Sequence, residues 1–132
     1  MMIDRQRAHL IVAPTDFSEA ADLALSEAAR EAAARGAALL LMHVLETPVY
    51  PVPAHPLPEL PAIVGRLRAQ AETELAARAE RVRQAGVPCE TLVSEGAPAD
   101  AILRVLEQRR PELVVMPTQG LGGLKRFLFG SV

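Results

Sequence analysis

The stretch AHLIVAPTDFSEAADLALSEAAREAAARGAALLLMHV, residues 8–44, decides the fold. It begins with an unbroken apolar run, Ala8–Pro14, closed by a proline, as a strand buried on both faces would be. Asp16 or Ser18 can cap a helix after it, because either side-chain oxygen can accept an orphan backbone N–H. Glu19 adds a negative charge to the first turn, where the helix dipole favours one. Leu23, Ala24, Glu27, Ala28 and Glu31 follow at helical spacing, and Gly36 ends the helix by tolerating a left-handed backbone. Ala38–Val44 is then a second buried strand. Strand, helix and strand in immediate succession make one βαβ unit.

Outward from that unit the chain repeats the alternation. ETPVYPVPAHPLPELP carries six prolines between Pro48 and Pro61, which deny N–H groups to any ladder and stiffen the chain; it reads as a connecting loop in preference to a ligand for an adaptor domain. AIVGRLRAQAETELAARAERVRQAG is a long amphipathic helix ending at Gly86, with Ile63, Leu67, Leu75 and Val82 as its apolar stripe. The Arg and Glu residues around that stripe read as a solvated face. Val87–Gly96 is a third strand, polar and alternating, as an edge strand would be. APADAILRVLEQRR is a helix with Pro98 in its first turn, and Pro111–Pro117 is a fourth strand. The order βαβαβαβ predicts an α/β fold, an open doubly wound parallel sheet with helices on both faces and right-handed crossovers. Ligands of such sheets bind outside the carboxyl ends of the strands, where strand order reverses.

Composition narrows the function. The 132 residues fit one domain, 1–132, and half of them are hydrophobic with few aromatics, so Ala, Leu and Val fill the core. A formal net charge of −2 with interspersed signs leaves no electrostatic footprint for nucleic acid or an anionic membrane. Cys89 is the single cysteine, which rules out an intrachain disulfide and suits a reducing compartment. The apolar run near the start is too short and interrupted for a signal peptide, and no run reaches the ~20 apolar residues of a membrane span. A cytoplasmic location is the default.

The candidate site gathers at strand ends. Asp16 follows the first strand and can accept from a ribose or purine, hold a metal, or cap the helix. After the fourth strand comes PTQGLGGLKRFLFGSV, residues 117–132. Its Gly120, Gly122 and Gly123 allow close backbone approach, successive N–H groups there can form an anion nest, and Gly130-Ser131 resembles a helix start suited to phosphate. Lys125 and Arg126 can add charge or face solvent. No Gly-Lys-Ser/Thr triplet follows, so this is not the common phosphate loop, and PTDFS lacks the glycines of a dinucleotide fingerprint. His43 has no partner at metal spacing and reads as a satisfied sheet histidine, and Cys89 as an inert packing thiol. His9, His43 and His55 are scattered; no catalytic triad and no metal site emerges.

The segments IVAPTDFSEAADLAL, LLLMHV, GAPADAI and VVMPTQGLGGLKRFLFGSV, in this order, resemble the universal stress protein family over nearly the whole chain. The resemblance implies a Rossmann-like sheet of order 3-2-1-4-5, related to that of the adenine nucleotide hydrolases. It also implies a cytoplasmic stress module that binds ATP or AMP, with Mg only as the nucleotide's counter-ion, and acts through partners or as a homodimer. A dimeric interaction protein without nucleotide is the alternative, and slow ATP hydrolysis a third. By resemblance, Pro14, Thr15 and Asp16 flank adenine and ribose, the Val44 backbone reads the adenine edge, and Met116 lines the pocket floor. Thr118, Gly120, Gly130, Ser131 and Val132 belong to the phosphate segment, whose family pattern is G-x-x-G-x9-G-(S/T). Pro117 stands where that pattern has its first glycine and is expected to weaken the nucleotide; Gln119 replaces the usual histidine or similar residue. The fourth helix and parallel fifth strand of the family, which follow GSV, are absent from these residues, so strand four is expected to present an open apolar edge that invites another chain.

Overall fold

The structure, a computed structural model, describes residues 9–46 and 60–117 in full and residues 127–130 as backbone. In chain order the elements are β1 (Leu10–Pro14), α1 (Glu19–Arg35), β2 (Ala38–Leu45), α2 (Leu60–Gln84), β3 (Cys89–Glu95), α3 (Pro98–Arg109), β4 (Leu113–Pro117) and β5 (Phe127–Gly130). The first four strands are parallel and lie in the expected order 3-2-1-4. β1 pairs with β2 from Leu10↔Ala38 to Pro14↔Met42, and with β4 through Ile11↔Leu113 and Val12↔Val114.

Local chemistry sets the helix ends. The Ser18 hydroxyl caps α1 by accepting the Ala21 N–H at 3.1 Å, and Gly36 closes it at φ 64°. Pro98 opens α3 without a side-chain cap, and Arg110 ends it in the left-handed region at φ 46°.

Alternation along each strand builds two cores. Ile11, Ala13, Leu39, Leu41, Leu113 and Val115 face α1 and α2. On α1 this face is Ala24, Ala28 and Ala32, whose small side chains let the helix lie close to the sheet. Leu10, Val12, Leu40, Met42 and Val114 face the opposite way, toward Val105 of α3. Right-handed crossovers explain the division: β1→β2→β3 steps one way along the sheet and places both helices on one face. The return from β3 to β4 steps back and places α3 on the other. Each fully buried aliphatic side chain, such as Ile11 or Leu39, contributes about 1.5–3 kcal/mol by leaving water.

Three expectations change. The apolar stripe of α2 divides: Leu75 and Val82 are buried, whereas Ile63 and Leu67 are 40% and 48% exposed. The charged residues of α2 are not all solvated, since Arg78 is only 8% exposed and fully engaged with partners. The edge of β4 is not open: β5 pairs with it antiparallel from Val114↔Gly130 to Pro117↔Phe127. Among the described residues there is no parallel fifth strand; a short strand from the glycine-containing segment itself lies beside β4, because unpaired ladder groups of β4 gain by pairing with any nearby extended backbone.

Candidate functional site

The turn between β1 and α1 is held unusually firmly. Thr15 N–H donates to the Met42 carbonyl at 2.8 Å, continuing the β1–β2 ladder by one residue. Phe17 N–H then donates to Thr15 Oγ1, and Ser18 N–H to Asp16 Oδ1, each at 3.0 Å. These bonds explain why Thr and Asp stand here: each side chain folds back on the backbone two residues on. Phe17 adopts φ 67°, a left-handed conformation that costs a residue other than glycine about 1–2 kcal/mol.

Side chains from distant elements hold that conformation. The Phe17 ring stacks on His43 of β2 with centroids 4.2 Å apart and planes 27° apart. The Arg78 guanidinium of α2 lies 4.9 Å from the same ring's centroid, and its Nη2 donates to the Phe17 carbonyl at 3.4 Å. Arg78 is itself gripped by Asp22, through Nε at 2.7 Å and Nη2 at 3.3 Å, and by Glu74 through Nη1. The Asp22 hydrogen bond raises the guanidinium pKa further, outweighing the opposing effect of burial. His43 Nδ1 lies 2.7 Å from the Thr15 carbonyl, so Nδ1 carries the proton and His43 is a satisfied histidine, as read from the sequence.

Above this turn the carboxyl ends of β1, β2 and β4 enclose a cleft of about 600 Å³. It lies where strand order reverses between β1 and β4. Pro14, Thr15, Asp16, Val44 and Met116, all candidate residues from the sequence, line it together. So do Pro117 and five further residues: Met42, His43, Glu46, and Pro98 and Ile102 of α3. Pro98 and Ile102 were legible only as helix residues; their place follows from α3 starting at the carboxyl end of β3, one strand-length above the sheet's opposite rim.

The walls are apolar and the rim acidic. Met42, Val44, Ile102 and Met116 offer flat apolar surface, and Asp16 and Glu46 supply carboxylates; no Lys or Arg is among the described lining residues. Such a cleft suits a ring with hydroxyl or amino groups at its edge better than a bare phosphate. Gly130 sits in β5 opposite Val114, whereas Phe127 is opposite Pro117 at the cleft end of β4. Three residues of strand set Gly130 about 10 Å from the Pro117 level. Thr118, Gly120, Ser131 and Val132 lie outside the described residues, as do Lys125 and Arg126.

Elsewhere the chemistry is quiet. Cys89 is buried, and desolvation pushes its thiol pKa up, away from reactivity. Among the described residues no three potential metal ligands stand together, and no helix is long and apolar enough to cross a membrane.

Residues 8–132 match the model of the universal stress protein family. A universal stress protein of Thermus aquaticus is 38% identical over 117 residues, covering 88% of this chain and 81% of that protein. Among solved structures, the universal stress protein UspA of Lactobacillus plantarum superposes with a TM-score of 0.72 at 24% identity, over 89% of this chain and 83% of that one. A universal stress protein in complex with cAMP superposes with a TM-score of 0.67 at 22% identity, over 88% and 80%. The chain belongs to the universal stress protein family.

Proposed function

We propose that this universal stress protein binds an adenine nucleotide, ATP or AMP, in the cleft at the carboxyl ends of β1, β2 and β4. One observation carries the reading: Pro14, Thr15, Asp16, Val44 and Met116, far apart in sequence, line one cleft at the reversal of strand order. Its volume falls within the ordinary range for small-molecule sites. A family structure of the same fold is described as a complex with cAMP, which supports the ligand class. In this reading adenine lies between Val44 and Met116, and Asp16 accepts from ribose hydroxyls. The phosphates point away from Asp16 and Glu46, toward Thr118 and Gly120, within three residues of Pro117 in sequence. With Gly130 in register with Val114, contact from Gly130 requires β5 to leave β4. Mg serves as the phosphates' counter-ion, since the rim itself brings negative charge. The protein acts as a single domain in the cytoplasm, as a homodimer or through partners, in response to the nucleotide it holds.

Pro117 favours a second reading, an interaction protein without nucleotide, because its ring lines the cleft where the family pattern has glycine. Titration calorimetry of the full chain with ATP, AMP and cAMP decides between them. Binding that Asp16→Ala weakens about tenfold, the loss of one hydrogen bond to a charged group, supports the first. Absence of heat with all three nucleotides overturns it. Pro117→Gly is expected to tighten binding; equal affinity would show that the ring does no harm.

A further inference from the structure

We propose that Arg78 is a positioning residue for the cleft, acting from the opposite side of the sheet through the strained backbone of Phe17. The proposal deepens the nucleotide-binding reading and rests on it for the ligand, though not for the loop geometry. Thr15 and Asp16 line the cleft, and the next residue, Phe17, is bent to φ 67°. A left-handed phenylalanine reverts to an extended or helical backbone unless its surroundings hold it.

Two grips are visible. His43 takes the Thr15 carbonyl at 2.7 Å and the face of the Phe17 ring, and Arg78 takes the Phe17 carbonyl and lies against the same ring. His43 belongs to β2 and is fixed by the ladder. Arg78 comes from α2, 61 residues away in sequence from Phe17, and is nearly buried. Its fork is fully used: Asp22 ties it to α1, Glu74 to its own helix, and the remaining direction points at the turn. Only a planar fork can serve all three at once; a lysine ammonium keeps the charge but not the geometry. The cost of bending Phe17 is thus met by a cation that touches nothing in the cleft. Its consequence is felt there, because releasing Phe17 lets Asp16 swing off the rim.

The test compares wild type, Arg78→Lys and Arg78→Met with Arg30→Met as a remote control, since Arg30 also pairs with a neighbouring acid but is far from the turn. Two measurements are made on the full chain: amide hydrogen exchange at Phe17 and Ser18, whose N–H groups bond to Thr15 and Asp16, and calorimetric affinity for ATP and AMP. Both Arg78 variants are expected to speed exchange at these two amides about tenfold, with Arg30→Met unchanged. Nucleotide affinity is expected to fall by a similar factor in Arg78→Lys, while its melting temperature stays close to that of wild type. Unchanged exchange at Phe17 and Ser18 overturns the proposal whether or not nucleotide binds. Faster exchange with unchanged affinity overturns it too, because the turn would then be loosened without consequence for the cleft. If wild type binds no nucleotide, the functional reading fails, and the positioning role for that ligand falls with it. The exchange data then separate that outcome from a failure of the Arg78 grip itself.

Discussion

α2 is one helix in two regimes. From Ala71 to Val82 it buries Ala71, Leu75, Arg78, Ala79 and Val82. From Leu60 to Leu67, Leu60, Ile63 and Leu67 stand 40%, 40% and 48% exposed, and Val64 is half-buried. Both stretches carry helical periodicity, so pattern does not separate them. Length does. At 25 residues α2 is about 37 Å long, whereas β2 with eight residues spans about 26 Å. The helix outruns the sheet, and its first turns project past the carboxyl ends of the strands. The overhanging half also has weaker local support: Gly65 lies in its interior and no acid sits in its first turn. One exposed ion pair, Arg68 to Glu95 at 3.0 Å, ties it to β3. Periodicity thus tells which face of a helix is apolar, and the extent of the partner surface tells how much of that face is covered.

The largest expected effect tests the covered half. Leu75→Ala removes a side chain that is 1% exposed in a close-packed core, and should destabilise the protein by about 2–5 kcal/mol in denaturant titration. A loss below about 1 kcal/mol would mean that α2 packs less tightly there than its burial indicates. Gly65→Ala sharpens the contrast at the other half. A Cβ at Gly65 meets no atom within 4 Å and the backbone is not left-handed, so the change should stabilise the helix by about 0.5–1 kcal/mol. It should be visible as slower amide exchange confined to the first turns. Smallest is Leu67→Ala, expected to alter stability by no more than about 0.5 kcal/mol, since nearly half of the side chain already meets water. A loss comparable with that of Leu75→Ala would erase the distinction between the halves.

These differences mark what could be read from the residues. Ile11–Val12, Leu39–Met42 and Val114–Val115 are continuous apolar runs, and such runs have few alternatives to a strand covered on both faces. Gly36 announced the end of α1 because its role is local, whereas its start was left between Asp16 and Ser18; the cap is Ser18, and Asp16 instead accepts the Ser18 N–H. Strand order brought Pro14, Asp16 and Val44 to the same end of the sheet, and the family resemblance added Met116. What stayed hidden depends on distant partners. Phe17 has no intrinsic preference for φ 67°; it is held there by Arg78 and His43. Arg78 looked like one more charge on a solvated face, and the approach of Asp22 from α1, together with Glu74 of its own helix and the Phe17 carbonyl, makes its burial tolerable. Arg110 ends α3 in a conformation usually given to glycine, with its N–H on the Leu106 carbonyl. β5 was unreadable because FLFG is short and sits beside glycines, so its pairing is decided by the free edge of β4.

The strand that comes first in the chain is also the one at the centre of the sheet. β1 can pair with β2 as soon as the first helix has formed, but its other edge waits for β4: Ile11 meets Leu113, about a hundred residues later. During synthesis, therefore, an almost wholly apolar strand has one ladder unsatisfied until nearly all of these residues have been made, whereas β3 lies at the margin throughout. The same arrangement that puts the cleft at the reversal of strand order leaves the β1–β4 pairing to be made only once Leu113 is present. A nascent chain stopped before Leu113 would expose the β1 edge, and chaperone capture of such stalled chains is the cellular trace to look for.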